Sequence, residues 1–311
     1  MAAYRELYLS GELAGRVDEA RARLSDCRMC PRGCGSDRLK GETAKCRTGR
    51  WASVSNFGPH FGEEPPLVGR GGSGTIFFTH CNLRCVFCQN HDISQRGGGQ
   101  EVSPEELGGM MISLEDRGCH NINLVSPSHV VPQFLEALLM AVEIGLSVPI
   151  AYNSGGYDTV ETLGLLDGVA DIYMPDMKYS NAAAALRFSG VKHYPQINRA
   201  AVKEMHRQVG DLVMDEWGVA QRGLLVRHLV LPLDLAGTEG VVEFLAREVT
   251  QNTYLNIMDQ YRPCYRAPEY GGLARPPLPH ELARAQKLAR EQGLARIDGL
   301  DIPVAARALF G

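Results

Sequence analysis

Three cysteines at a short, fixed spacing are the residues of this chain best suited to inorganic chemistry. They are Cys81, Cys85 and Cys88, and residues 81–88 are called the three-cysteine loop. Thiols this crowded are poorly placed for ordinary disulfides, but they can converge on one inorganic centre. A cubane iron–sulfur cluster has four irons, so three thiolates leave one iron open, much as a catalytic zinc keeps a free position. The spacing predicts a [4Fe–4S] cluster, with a structural zinc knuckle or three scattered core cysteines as alternatives.

The four-cysteine module, residues 27–46, precedes this loop and carries Cys27, Cys30, Cys34 and Cys46. The segment is rich in glycine and has too few apolar side chains to fold alone, so a bound metal would supply the missing stability. Four cysteines can close a metal site and leave no position open, which implies a structural or an electron-relay role. Zinc and a second iron–sulfur cluster are both compatible with four thiolates.

Composition argues against several other classes of protein. The net charge of −4 and the pI near 6.2 argue against bulk attraction to nucleic acid. No apolar run approaches the length that spans a membrane, and the N-terminus lacks the apolar core of a signal peptide, so we expect a soluble, cytoplasmic protein. In such a protein, nine cysteines in 311 residues indicate metal ligation before disulfides.

The elements that position the three-cysteine loop follow from the pattern of apolar residues. A β-prone run at 75–79 ends directly in the loop, and from there short apolar runs alternate with helical patterns. The alternation gives six β-then-α units and predicts the α/β class with a parallel sheet. Six units are fewer than the eight of a closed barrel. We therefore expect a partial (β/α)6 TIM-like barrel with its working residues at the C-terminal ends of the strands.

The chain is expected to have two parts. Residues 1–62 hold a short amphipathic helix and the Cys-rich metal-binding module, and residues 63–311 hold the barrel and a closing helix at 279–292. The glycine run at 69–74 precedes a strand instead of following one, so it fails as a dinucleotide-binding loop. We expect it to be flexible backbone packed close to the cluster or the substrate.

Several segments spread over most of the chain resemble one family. They are C-x2-C-P-R-x-C at 27–34, E-E-P at 63–65, the three-cysteine loop with its preceding strand, N-I-N-L-V-S-P-S-H at 121–129, P-D-M-K at 175–178, R-H-L-V-L-P at 227–232 and N-I-M-D-Q-Y at 256–261. The three-cysteine loop alone resembles that of the radical S-adenosylmethionine (SAM) superfamily. The full set resembles a family of iron–sulfur proteins described as homologues of the pyruvate formate-lyase activating enzyme.

This resemblance implies a cofactor chemistry and a range of substrates. Cys81, Cys85 and Cys88 would bind a [4Fe–4S] cluster whose open iron holds the amino and carboxylate groups of SAM. An electron, from a donor such as flavodoxin or ferredoxin, would then cleave the sulfonium to methionine and a 5′-deoxyadenosyl radical. The reaction that the family suggests is hydrogen abstraction from a glycine of a partner protein. Radical modification of a small molecule or peptide, or a non-catalytic iron–sulfur or zinc module, are the alternatives.

The resemblance also implies cofactor contacts around the loop and on the next two strands. Phe87 is the aromatic residue before the last cysteine, and Asn90 continues the loop as in activating enzymes. Ser126 and Ser128 follow the second strand, where many relatives have a Gly-Gly-Glu that holds the methionine amino group, so they would have to replace it. Asn153 resembles a cofactor-contacting Thr-Asn-Gly segment, and its amide offers both a donor and an acceptor. A plain turn is the alternative at Asn153.

Contacts are expected at the ends of the later strands too. Asp176 and Lys178 are similar to the Asp-x-Lys ending of glycyl-radical activases, and a charged pair inside a barrel needs mutual neutralisation or a ligand. We expect both to face the cofactor or the substrate, with a structural ion pair as the alternative. His228 is either a contact to the adenosyl group or the substrate, or a satisfied core histidine. Met258 and Gln260 would wall the adenine and read its edge, although methionine on a strand is most often core packing.

Overall fold

The computed structural model describes residues 2–298. Within these residues ten strands form one sheet. They are β1 (Ala52–His60), β2 (Ser73–Phe78), β3 (Gln100–Val102), β4 (Ile122–Val125), β5 (Ile150–Ser154), β6 (Ile172–Pro175), β7 (Val213–Met214), β8 (Ala220–Leu229), β9 (Tyr254–Met258) and β10 (Arg296–Asp298). Their order is β10-β9-β8-β6-β5-β4-β2-β1-β3, and β7 pairs with β8.

Most of the helices in residues 2–298 lie between successive parallel strands, as in an α/β fold. They are α1 (Tyr4–Leu9), α2 (Glu12–Ala22), α3 (Pro65–Val68), α4 (Pro104–Asp116), α5 (Val131–Glu143), α6 (Val160–Gly164), α7 (Ala182–Ser189), α8 (Tyr194–Val209), α9 (Thr238–Phe244) and α10 (Pro279–Glu291). All pairings from β2 through β4, β5, β6, β8 and β9 to β10 are parallel. The prediction of a mostly parallel sheet in a partial barrel is confirmed. Within residues 2–298 no helix is long and apolar enough to cross a membrane.

The start of α4 shows how local sequence sets an element. Ser103 Oγ accepts a hydrogen bond from the backbone N–H of Glu106, and the Glu106 carboxylate accepts one from the backbone N–H of Ser103. This reciprocal cap and Pro104 at the first helical position satisfy a helix end. Leu107 and Met111 then recur at helical spacing and are buried against the sheet. The sequence S-P-E-E at 103–106 therefore sets where this helix begins.

The N-terminal helices are tied to the middle of the chain. The backbone N–H of Ala3 donates to the Asp171 carboxylate at 2.9 Å, just before β6, and the Tyr4 hydroxyl donates to the Val148 carbonyl at 2.9 Å. Leu13 of α2 is fully buried, and α2 packs against α5. The N-terminal part is therefore docked on the barrel.

Two strands that the sequence pattern did not predict extend the sheet on one side. β1 pairs antiparallel with β2, and β3 pairs antiparallel with β1. Only Ala52 and Val54 of β1 are buried, and Gly58 and Pro59 interrupt its β pattern, so the segment reads as a loop. The division at residue 62 stays a prediction, but the sheet itself begins ahead of it. The helix α10 does not close the described chain, because β10 follows it and pairs with β9.

The glycine run lies at the opposite end of the sheet from the three-cysteine loop. The prediction that it packs close to the cluster or the substrate is therefore wrong. The backbone N–H groups of Arg70 and Gly71 donate to His120 Nε2 at 3.1 and 3.0 Å, and His120 precedes β4. A Cβ on Gly71 would lie 1.9 Å from the Gly118 carbonyl oxygen. These glycines therefore permit a close approach of two backbones at the N-terminal ends of the strands.

Candidate functional site

The three predicted cluster ligands line one cavity. Cys81, Cys85 and Cys88 surround a volume of about 160 Å³ together with residues from the ends of several strands. The loop follows β2 directly, so the cavity lies at the C-terminal end of the parallel sheet, where working residues of such barrels lie. Apart from the cysteines, the polar and charged residues of the cavity wall are Asn90, Ser94, Gln95, Ser126, Asn153, Ser154, Asp176, Lys178 and Arg227.

Hydrogen bonds hold each sulfur of the loop. Cys81 Sγ accepts from the backbone N–H of Leu83 at 3.4 Å. Cys85 Sγ lies 3.0 Å from Ser189 Oγ, and Cys88 Sγ lies 3.1 Å from Ser94 Oγ. Hydrogen bonds to sulfur stabilise negative charge on it and tune the potential of a bound cluster.

Burial favours the protonated form of two of these thiols, those of Cys81 and Cys85. It raises the pKa of Cys81 to about 12 and also raises the pKa of Cys85, which nearby Lys178 partly opposes. Because only thiolates ligate metal, metal binding here must release protons. Among residues 2–298, no three Cys, His, Asp or Glu side chains are gathered closely enough to hold a single metal ion. A cubane places four irons and their sulfides between its ligands, so its thiolates stand farther apart than those around one ion.

A group of buried charges forms one side of the cavity. The charge array consists of Asp176, Lys178, Arg227 and Glu64. Lys178 Nζ lies 2.5 Å from Asp176 Oδ2, and Arg227 Nε donates to Asp176 Oδ1 at 2.9 Å. Although burial alone would raise it, Arg227 and Lys178 hold the pKa of Asp176 below its usual range. The Asp176 carboxylate is therefore ionised at neutral pH.

Glu64 is the second acid of the array and does not itself line the cavity. Its Oε1 accepts from Asn256 Nδ2 at 3.1 Å, and the same oxygen lies 3.6 Å from Arg227 Nη1. Its Oε2 is buried without a partner among the described residues. Burial raises the pKa of Glu64, and Arg227 opposes this shift. The array thus places two cations beside two carboxylates, and burial opposes the charge of the second carboxylate, Glu64.

The cavity contains most of the predicted catalytic and cofactor residues. Asn90, Ser126, Asn153, Asp176 and Lys178 all line it with the three cysteines. Arg227 also donates to Asn153 Oδ1 at 2.7 Å, so the ends of β5, β6 and β8 are linked by side chains. The assignment of these residues to a particular cofactor stays a prediction.

Five predicted cofactor contacts lie elsewhere in the structure. Phe87 packs edge-on against Tyr179 and Tyr261 in the core below the loop. Ser128 is buried and hydrogen-bonds the Asp158 carboxylate. Met258 at the end of β9 is also buried, and Gln260 is exposed on the surface; neither lines the cavity. The fifth residue is His228.

His228 lies in the core, as the second of its two predicted alternatives states. It is fully buried, and its ring nitrogens lie 2.7 Å from the Met177 carbonyl and 3.0 Å from Thr238 Oγ1. Its neighbour Arg227 faces the cavity instead, and the sequence analysis missed it. Side chains alternate along a strand, and Leu225 of β8 belongs to the apolar cluster that fills the barrel with Ala151 and other residues. Because Arg227 lies two residues after Leu225, this alternation predicts that the Arg227 side chain also faces the inside of the barrel.

The four-cysteine module packs beside this site. Cys27 exchanges backbone hydrogen bonds with the following turn, donating to the Ser36 carbonyl and accepting from the Gly35 N–H. Burial raises the pKa of Cys30 to about 12, and the thiols of Cys46, Cys27 and Cys34 contribute to this rise. Cys34 is the exposed member of the set.

Comparison with known proteins identifies a sequence family, a sequence relative and a solved structure that are similar to this chain. The sequence profile of the Radical SAM superfamily matches residues 75–215. The Methanocaldococcus jannaschii protein MJ0674, described as uncharacterized, is 33% identical over 284 residues, which cover 89% of this chain and 78% of the relative. A radical SAM methyltransferase from Sphaerobacter thermophilus has a similar fold, with a TM-score of 0.51 at 15% identity. That match covers 75% of this chain and 69% of the methyltransferase.

Proposed function

Because the chain belongs to the radical SAM superfamily, we propose that it is an enzyme that cleaves S-adenosylmethionine reductively and abstracts a hydrogen atom from a substrate. Membership implies a [4Fe–4S] cluster and S-adenosylmethionine as cofactors. The observation that carries the proposal is the single cavity that Cys81, Cys85 and Cys88 share with the charge array. When bound, the cluster supplies the electron for cleavage, and the protein supplies binding and orientation.

The residues of the cavity fit an anionic cluster with an open iron. Three thiolates would hold three irons and leave the fourth for the cofactor. A thiolate-ligated cluster is negatively charged, and Lys178 and Arg227 provide positive charge beside it, only part of which Asp176 neutralises. These two cations lower the cost of burying an anion at this place.

Two side chains of the cavity wall are suited to orient the cofactor. Arg227 fixes Asn153 through a hydrogen bond to Oδ1, and an amide held in this way presents Nδ2 as a donor to a carboxylate. Ser126 follows β4 in a left-handed conformation with φ of 60° and lines the same cavity. These residues would bind the amino-acid end of S-adenosylmethionine, where Gly-Gly-Glu serves in many relatives.

The substrate we propose is the backbone glycine of a partner protein. The P-D-M-K segment, similar to that of glycyl-radical activases, supports this, because Asp176 and Lys178 both line the cavity. Incubation with a candidate partner, S-adenosylmethionine and reductant should produce a glycyl radical, visible by electron paramagnetic resonance. Formation of 5′-deoxyadenosine with a small molecule or a peptide, without that radical, would identify the other class of substrate.

We also propose that the four-cysteine module binds a metal centre. Arg38 is buried, at 1% exposure, and donates to the Gly49 and His129 carbonyls at 3.0 and 2.9 Å. It lies 3.6 Å from Cys27 Sγ, and its Nη2 has no partner among the described residues. Of these three contacts only Cys27 can carry negative charge, and a buried cation is costly without an anion. Metal ligation would make Cys27 a thiolate and supply that anion.

Cofactor cleavage tests the proposed activity. The chain is reconstituted anaerobically with iron and sulfide, reduced with dithionite, and assayed for 5′-deoxyadenosine from S-adenosylmethionine. The wild type should form it, Cys85→Ala should not, and Cys119→Ala should match the wild type, since Cys119 lies before β4 at the far end of the sheet. A wild type that binds iron and cleaves nothing would identify a non-catalytic binding module instead.

A further inference from the structure

We propose that Glu64 recognises the substrate by accepting a hydrogen bond from one of its uncharged amide N–H groups, at the open side of the barrel beside the cavity. This inference rests on the proposed radical SAM function and adds a specificity-determining residue to it. It gives the E-E-P segment at 63–65 a role in substrate binding.

The connection between β1 and β2 is longer than the pairing of these strands requires. His60 and Ser73 pair directly in the antiparallel ladder, and two residues suffice to join such strands in a hairpin. Residues 61–72 join them instead, and this connection contains α3. Leu67 of α3 packs with Leu225 of β8 inside the barrel. The extra chain therefore enters the barrel and does not simply turn at its rim.

This connection crosses the open side of the barrel. Glu64 accepts a hydrogen bond from Asn256 of β9, although β8, β6, β5 and β4 separate β9 from β2 in the sheet. Glu64 can reach β9 only because the sheet curves round, so the connection spans the gap of the partial barrel. Asn256 pairs with Arg227, and Phe77 of β2 pairs with Val125; Arg227 and Val125 line the cavity. Asn256 and Phe77 are only half-buried, so the inner face of the barrel reaches solvent on this side.

One oxygen of the Glu64 carboxylate has no partner. Oε1 accepts from Asn256 Nδ2, whereas Oε2 is buried without a partner among the described residues. Glu64 is the N-cap of α3, where a carboxylate ordinarily accepts from a backbone N–H of the first turn. Here the first two helical residues are Pro65 and Pro66, which have no N–H, and the Leu67 N–H donates to the Glu64 carbonyl. Helix capping therefore does not account for Oε2, and an unpaired buried acceptor is costly.

Arg227 does not supply the missing partner. Its Nε donates to Asp176 and its Nη2 donates to Asn153. Its Nη1 lies 3.6 Å from Oε1 of Glu64, the oxygen that Asn256 already contacts. Because Arg227 lines the cavity and contacts Glu64, a donor bound to Oε2 would hold the substrate next to the cavity.

The charges around Glu64 are already paired, which favours an uncharged donor. The two carboxylates of the charge array lie beside its two cations. The neighbouring acid Glu63 has its Oε1 at 3.2 Å from His60 Nδ1. A further ion beside Glu64 would upset this pairing, whereas an amide N–H donates a hydrogen bond without adding charge. A peptide backbone presents such groups, in agreement with the backbone glycine that we propose as substrate.

Binding of two peptides that differ only in their N–H groups tests the proposal. The first is tetraglycine with an N-terminal acetyl and a C-terminal dimethylamide group, and the second has sarcosine, which is N-methylglycine, at all four positions. Ligand-observed nuclear magnetic resonance titrations measure both affinities on the full chain, reconstituted anaerobically and saturated with S-adenosylmethionine. The wild type should bind the glycine peptide at least about tenfold more tightly, as one hydrogen bond to a charged group requires. Equal affinities, or no binding of either peptide, would overturn the proposal.

Two variants locate this preference at Glu64. Glu64→Gln should lower the affinity for the glycine peptide at least about tenfold and leave that for the sarcosine peptide unchanged. Glu136→Gln is the matched control and should bind both peptides as the wild type does. Glu136 is also buried, contacts Arg50 through one oxygen and has no partner for the other among the described residues, but it lies in α5, away from the cavity. An undiminished preference for the glycine peptide in Glu64→Gln would overturn the assignment.

The outcome separates this proposal from the proposed function. The two peptides are compared on the wild type, so the result decides the proposal even where Glu64→Gln weakens the fold. Binding needs no cleavage of S-adenosylmethionine. A wild type that prefers the glycine peptide through Glu64, yet forms no 5′-deoxyadenosine after reduction, would refute the proposed function and support the recognition site.

Discussion

The guanidinium of Arg227 donates to the carboxylate of Asp176 at 2.9 Å, and this contact connects the ends of two strands beneath the cavity. The two residues also form an isolated parallel bridge through their backbones. Their side chains have 17% and 11% of their surface exposed, so the pair is largely shielded from solvent. Shielding makes the pair costly to break from one side.

Removal of the Arg227 charge should therefore destabilise the fold. In Arg227→Met, Asp176 keeps only Lys178, and Glu64 loses its nearest cation. We expect the free energy of unfolding to fall by about 3–5 kcal/mol, as for other broken buried pairs. Urea denaturation of the metal-free chain measures this. The matched control is Arg266→Met, which breaks an exposed pair with Glu269 and should change little. Equal effects of the two substitutions would contradict the importance of burial.

His129 should make the fold sensitive to mild acid. It is buried, its Nε2 lies 2.9 Å from the Thr79 carbonyl, and burial lowers its pKa to about 3. In the unfolded chain the pKa of histidine is about 6.5, so between these values the unfolded state binds one more proton than the folded state. The stability due to neutral His129 is complete above pH ~6.5 and falls by about 1.4 kcal/mol per pH unit below it.

Substitution of this histidine tests that slope. Between pH 6.5 and 5, the wild type should lose about 2 kcal/mol more of its unfolding free energy than His129→Gln, which has no group to titrate there. Denaturant unfolding at both pH values gives the difference. Parallel pH profiles for the two proteins would show that His129 has the same pKa in the folded and unfolded states, so that burial does not lower it.

Gly71 should tolerate no side chain. A Cβ there would lie 1.9 Å from the backbone oxygen of Gly118, and backbone yields less easily than a side chain end. We expect Gly71→Ala to cost about 1–3 kcal/mol through overpacking. Gly109→Ala provides the control, because nothing lies within 4 Å of its Cβ position and it lies inside α4. That change should stabilise the chain by about 0.5–1 kcal/mol, and thermal unfolding of both variants checks the opposite signs.

Ser189 should tune the catalytic cluster without holding it. Its hydroxyl lies 3.0 Å from Cys85 Sγ and 2.8 Å from the Tyr179 hydroxyl. Ser189→Ala removes a hydrogen bond that stabilises negative charge on the sulfur, so the reduction potential of the cluster should become lower. A potentiometric titration followed by electron paramagnetic resonance measures it, and iron content should stay at the wild-type value. A loss of iron would mean that Ser189 positions the ligand and does not merely tune it.

Spacing and strand order made the central part of the site predictable. The cysteine spacing and the β-then-α alternation placed Cys81, Cys85 and Cys88 after β2, and Asp176 and Lys178 at the end of β6. Both inferences depend on short-range patterns that chain geometry enforces. Residues at the C-terminal ends of neighbouring parallel strands lie close together, so their proximity can be predicted without knowledge of side-chain packing.

Side-chain direction and edge pairing were less predictable. His228 and Arg227 are adjacent at a strand end, and only the parity of the strand decides which of them faces the cavity. Apolar and polar residues alternate too weakly along β1 for its sequence alone to predict a strand. Its hydrogen bonds to β2 stabilise the extended conformation instead. Phe87 occupies the motif's aromatic position, but its ring packs against two tyrosines that are distant in the sequence. No local sequence pattern predicts that contact.

The bond between Ala3 and Asp171 has a consequence for synthesis on the ribosome. The two residues are 168 positions apart, so this anchor of the N-terminal helices forms only after the start of β6 has been synthesised. At ordinary translation rates that wait is on the order of 10 to 30 s. During this interval the apolar face of α2, with Leu13 and Val17, has no barrel to cover it. The nascent N-terminal segment thus exposes apolar side chains until its partners in the barrel have been synthesised.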